Sequence, residues 1–84
     1  MRNVDKVLQM SRLCDRAIEF IQQTIPGRFY IDDCIVDEYR IVITIFDSKK
    51  EGGRADRFSF FRSSDNAGEE HLTACLNEWK ERWN

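Results

Sequence analysis

Histidine, proline and glycine are all scarce in this chain of 84 residues, which holds one His, one Pro and four Gly. With a single histidine, any Ser-His-Asp arrangement would have to be built on His71. His71 stands one step off the apolar stripe of a helical stretch, so it reads as an exposed or half-buried helix residue. Ser63 and Ser64 lie near it in sequence but in no nucleophile motif. A catalytic base also needs an orienting carboxylate and a nucleophile, and no such set is present.

The three cysteines, Cys14, Cys34 and Cys75, are odd in number and widely spaced. Zinc sites draw their ligands from close pairs, and these cysteines form none. The spacing fits free thiols among apolar neighbours in a reducing compartment, so buried cysteines and a cytoplasmic location are expected. If both helices cover one sheet face, Cys14 and Cys75 come near each other. No run approaches the ~18 apolar residues of a membrane span. The opening Met1-Arg2-Asn3-Val4-Asp5-Lys6 lacks the apolar run of a signal peptide. Glu51-Gly52-Gly53-Arg54 has two glycines but no following Lys-Ser/Thr, so there is no phosphate loop. No enzyme activity, metal or cofactor is expected.

What remains is a folded composition: 42 % apolar and 33 % charged. Residues 1–84 make one domain. A domain of this size buries roughly 60–65 % of its unfolded surface. That leaves little volume for a deep pocket, and the search for function moves to surfaces.

The element order is helix, three strands, helix. Asn3 can cap a helix reaching Thr24 or Ile25, where Pro26-Gly27 turns the chain. Val4, Val7, Leu8, Cys14, Ile18, Ile21 and Ile25 give its stripe, which Met10, Leu13, Ala17 and Phe20 widen, with Leu13 and Phe20 marking a second apolar edge. A strand is expected over Phe29–Val36, with a bulge or an edge position to absorb the adjacent Asp32 and Asp33. Arg40–Phe46 is apolar on both faces and suits the centre of a three-stranded antiparallel sheet. Ile41, Ile43 and Ile45 would face the helices, and Val42, Thr44 and Phe46 the opposite side. Ala55–Arg62 supplies a third strand, with Phe58 and Phe60 on one face and Arg57, Ser59 and Phe61 on the other. Asp65 or Asn66 can cap a last helix whose stripe is Leu72, Cys75, Leu76, Trp79 and Trp83. The fold class is therefore α+β, with both helices on one sheet face.

That order and length resemble double-stranded-RNA-binding domains, and the resemblance extends to topology alone. Such domains carry a basic cluster at the start of the second helix. Here the matching place reads Asn66-Ala67-Gly68-Glu69-Glu70, which is acidic, so duplex binding is not carried over. A nucleic-acid site would have to use Lys49, Lys50, Arg54, Arg57 and Arg62, a stretch of local charge +3. It would stack bases on Phe46, Phe61 and Tyr30.

Protein contact is the better expectation. The sheet face away from the helices carries Val42, Phe46 and Phe61, and an apolar face left to water often marks an interface. Asp32, Asp33, Asp37 and Glu38 form a local −4 with no compensating base. Such an acidic run could occupy a basic groove on a larger protein. In size and acidity the chain is similar to phage-encoded inhibitors of host defence, including anti-CRISPR proteins. A homodimer through the outer sheet face is the other expectation, and no membrane partner is expected.

Overall fold

The computed structural model describes residues 4–50, 52, 55–62 and 68–83. Helix α1 (Val4–Thr24) leads into strands β1 (Phe29–Val36), β2 (Arg40–Asp47) and β3 (Ala55–Phe61), and helix α2 (Glu69–Glu81) follows. The strands pair antiparallel in the order β1-β2-β3, which puts the apolar β2 at the centre. This is the α-β-β-β-α architecture expected from the sequence.

The sheet is two-sided because side chains alternate across a strand. Ile41, Ile43 and Ile45 are fully buried, and Phe58 and Phe60 lie beside them on β3. Met10, Ala17 and Ile21 from α1 and Leu72, Leu76 and Trp79 from α2 complete one contiguous core with them. Both helices therefore cover the same face. Burying each large side chain contributes about 1.5–3 kcal/mol.

The apolar stripe of α1 is centred differently from the sequence reading. Its buried residues are Met10, Leu13, Cys14, Ala17 and Ile21, so Leu13 belongs to the core rather than to a second edge. At about 100° per residue, Leu8 falls about 160° from the middle of that arc. It points away from the sheet and is 54 % exposed. Phe20 is the half-buried flank of the arc.

The helix ends as expected. Thr24 Oγ1 donates back to Phe20 O at 2.8 Å, and Arg28 N–H donates to Ile25 O at 3.1 Å. Between them Gly27 adopts φ +80°, a left-handed conformation open to glycine at no steric penalty. The cap of α2 differs from expectation. Gly68 is the N-cap and makes no side-chain cap bond, while Asp65 and Asn66 lie outside the described residues, as does Asn3.

The adjacent acids on β1 are absorbed by a bulge on an edge strand. Ile31 pairs with Ile45 and Asp33 with Thr44, leaving Asp32 as the extra residue. The bulge resets the alternation. Ile31, Cys34 and Val36 pair with the inward residues of β2, and Tyr30, Asp33 and Ile35 with its outward ones. The β1–β2 turn is closed by Asp37, whose carboxylate accepts from Tyr39 N–H at 2.8 Å, Arg40 N–H at 2.9 Å and Arg40 Nε at 3.0 Å. These bonds, the Tyr39 amide foremost, hold the Asp37 carboxyl below its usual range.

Candidate protein-binding face

The sheet face away from the helices is built in rows across the strands. Tyr30 on β1 lies opposite Phe46 on β2. The next row is Asp33, Thr44 and Arg57, and the one after it is Ile35, Val42 and Ser59. Phe61 lies opposite Arg40 at the far end. Among the described residues the exposed large apolar side chains are Leu8, Tyr30, Ile35, Tyr39, Phe46 and Phe61. Four of those six belong to this face, and Tyr39 abuts it, since Arg62 N–H donates to Tyr39 O at 2.7 Å. Phe61 is 63 % exposed and Phe46 40 % exposed, while Val42 and Thr44 are half-buried by their neighbours. No described element covers these rows.

The acidic run is brought to one edge but divided in role. Asp32 projects from the bulge, and Asp33 stands in the second row of the open face. Asp37 is committed to the turn, and Glu38 is half-buried beside it. The basic set is scattered. Lys49 and Lys50 sit beyond the Phe46 end of the sheet, Arg57 in its middle, and Arg62 at the Phe61 end. Arg54 lies outside the described residues.

One cluster escaped the sequence reading. Asp47, the last residue of β2, is 1 % exposed. Arg28 binds it with two parallel bonds, Nε to Oδ1 and Nη2 to Oδ2, each 3.1 Å, and Lys49 N–H donates to Oδ1 at 3.0 Å. The guanidinium of Arg28 lies 5.1 Å from the Trp83 ring and 5.2 Å from that of Phe29, and Lys50 Nζ stands 5.3 Å from Trp83. Phe29 meets both Trp79 and Trp83 edge-on, at 5.3 and 5.0 Å. The cluster ties the α1–β1 turn, the end of β2 and the end of α2 together. Its Arg and Asp are 19 residues apart, a separation with no local spacing signal to reveal it. Being closed on itself, it presents no free reactive group and reads as a structural clasp.

The cysteines are free, and Cys34 departs from the expected burial. Cys14 is buried and Cys75 half-buried, but Cys34, on an edge strand, is exposed at the rim. Cys14 lies beside Cys34, and burial, reinforced by that neighbour, pushes the Cys14 thiol up to about 12. Burial likewise raises the Cys75 thiol. Both shifts disfavour the nucleophilic thiolate at neutral pH.

The concave features are shallow. A groove of about 300 Å³ runs between β3 and α2, lined by Arg57, Ser59, Cys75, Glu78, Trp79 and Arg82 among others. A second, of about 210 Å³, is lined by Phe20, Gln23, Thr24 and Lys80. The first sets the Cys75 thiol near the Glu78 carboxylate, whose charge adds to burial in raising the thiol rather than activating it. His71 is half-buried and tilts against Phe60 at 5.3 Å, and among the described residues no carboxylate is bonded to it. Among the described residues no three His, Cys, Asp or Glu side chains cluster in a way that would hold a metal ion. No helix of the described chain is long and apolar enough to cross a membrane. Comparison with known protein families, with curated proteins and with solved structures finds no match.

Proposed function

We propose that this chain is a non-catalytic protein-binding module that acts by occlusion, covering part of a larger protein in the manner of a small inhibitor of the anti-defence or anti-CRISPR type. The observation that carries the reading is the open sheet face, where Tyr30, Ile35, Phe46 and Phe61 stay exposed on a rigid, hydrogen-bonded platform. Aromatic side chains fixed on a strand bring large contact area with little entropy left to lose, the usual makeup of an interface anchor. Beside them Asp32 and Asp33 set a negative edge that favours a basic partner. A reducing, cytoplasmic setting fits the exposed free Cys34.

The scattered placement of Lys49, Lys50, Arg57 and Arg62 weighs against nucleic acid, which needs a continuous basic track. The test is capture from nuclease-treated host lysate. Wild-type protein is compared with F46D/F61D and with D32N/D33N, each first shown to melt like wild type. One stoichiometric protein held by wild type and lost from F46D/F61D, with weaker retention by the acid-neutralised variant, is expected. Equal capture by all three proteins, or salt-sensitive retention of nucleic acid alone, contradicts the proposal.

A further inference from the structure

The open face carries two opposite charges that its own chain leaves unsatisfied. Asp33 on β1 and Arg57 on β3 stand in the same row, on either side of Thr44. Both side chains are exposed, and neither belongs to an ion pair among the described residues. Two strand spacings of about 4.8 Å keep them about 10 Å apart, too far to meet each other. Yet they are placed symmetrically about β2, with the apolar side chains of Phe46 and Val42 on the midline between them.

We propose that the occupant of this face is a second copy of the chain, related by a two-fold axis that runs along β2 in the plane between the two sheets. The inference rests on the reading of the face as a protein-contact surface and adds that weak self-association closes the face until a larger partner displaces the second copy. Rotation about such an axis exchanges the edges. Each copy's β1 comes to lie over the other's β3, while β2 lies over β2. Asp33 of each copy then faces Arg57 of the other, twice by symmetry. Val42 and Phe46 each meet their own counterparts at the centre, and Ile35 covers the small Ser59. Packed sheets cross at about 30°. For an edge strand about 4.8 Å off the axis that crossing shifts the row by only about 2 Å. The charge pairing therefore survives the twist.

The alternative two-fold, lying across the strands, would set Asp33 against Asp33 and Arg57 against Arg57. The charge pattern selects between the two. One like-charge approach remains in the favoured arrangement, Arg40 against Arg40 at the rim. Each of these guanidiniums already donates to its own Asp37 at 3.0 Å, which softens the repulsion. Asp37, bonded to Arg40, stays with it at the rim of the interface, while Asp32 on the edge bulge remains outside and appears twice in the dimer.

A face three strands wide and seven residues long spans about 14 by 24 Å. That is about 340 Å² per copy, below the area of a stable interface, so weak association in the high-micromolar to millimolar range is expected. The test is sedimentation equilibrium up to about 1 mM on wild type, D33R, R57D and D33R/R57D. Thermal melting of each variant guards against misfolding. Wild type should dimerise, and each single swap, which replaces two attractions by two repulsions, should weaken the dimer by about tenfold or more. The double swap should recover it.

A wild type that stays monomeric throughout overturns the inference. So do single swaps that dimerise as wild type does, which would place the axis elsewhere. If the wild type is monomeric but loses a captured partner on F46D/F61D substitution, the second copy is ruled out and the contact-surface reading stands. If neither association nor capture responds to F46D/F61D, the reading itself falls.

Discussion

Replacing Asp47 with Ala should destabilise the fold by about 3 kcal/mol, and with Asn, whose amide oxygen still accepts, by less, read as a lower urea midpoint with an unchanged slope. The carboxylate is 1 % exposed and receives Arg28 through two bonds and Lys49 N–H through a third. Removing it strands a guanidinium among Phe29 and Trp83 and leaves a backbone donor without its acceptor. The figure is set at the low end of the range for broken buried pairs because Arg28 keeps 23 % side-chain exposure and can draw on water. A small domain has about 5–10 kcal/mol in all, so the loss would be plain at room temperature. R28M/D47N should lose less than the two single changes together, since removing both partners leaves no orphaned charge.

The same pair gives an acid dependence of known sign. The bonds from Arg28, ahead of its charge, lower the Asp47 carboxyl below its ordinary 3.8. A carboxyl depressed in the folded state contributes stability that is complete above its unfolded value and is lost as pH falls through the folded value. Asp37 shifts in the same direction. Urea midpoints should therefore hold steady down to about pH 5 and fall below pH 4, and D47N should flatten part of that fall. An acid limb identical in wild type and D47N would show that the clasp does not form in solution.

The second large effect is a contrast between neighbours. Phe60→Ala should lower stability by about 3–5 kcal/mol, whereas Phe61→Ala should stay within about 0.5 kcal/mol. The two residues adjoin on β3 but point to opposite sides of the pleat. Phe60 is 1 % exposed under the helices and Phe61 63 % exposed on the open face. If Phe61→Ala proved as damaging as Phe60→Ala, the open face would be part of the folding core and its role as a contact surface would be lost. Chemical denaturation at low protein concentration, where association is negligible, is the measurement.

Much of this was legible in the sequence because period and composition carry it. The alternation of Ile41 to Phe46 and of Arg57 to Phe61 gave both faces of two strands. The adjacent Asp32 and Asp33 called for a bulge or an edge position, and β1 has both. The centre of the α1 stripe was misplaced because that helix has apolar residues around more than half its circumference. Only packing against the sheet decides that Met10 goes in and Leu8 stays out. The Arg28–Asp47 clasp and the Cys14–Cys34 contact join residues distant in sequence, and no periodicity reports on such pairs. The Asp33–Arg57 symmetry needed the register: without the bulge, Asp33 would sit on the wrong face.

The most direct measurement follows side-chain methyl signals by NMR as protein concentration rises. Ile35 and Val42 lie on the open face, and Ile41, Ile43 and Ile45 on the helix-covered face of the same sheet. If the open face is the contact surface, the Ile35 and Val42 methyls should shift with concentration while those of Ile41, Ile43 and Ile45 hold still. Signals that never move, or shifts confined to the helix-covered isoleucines, would contradict it.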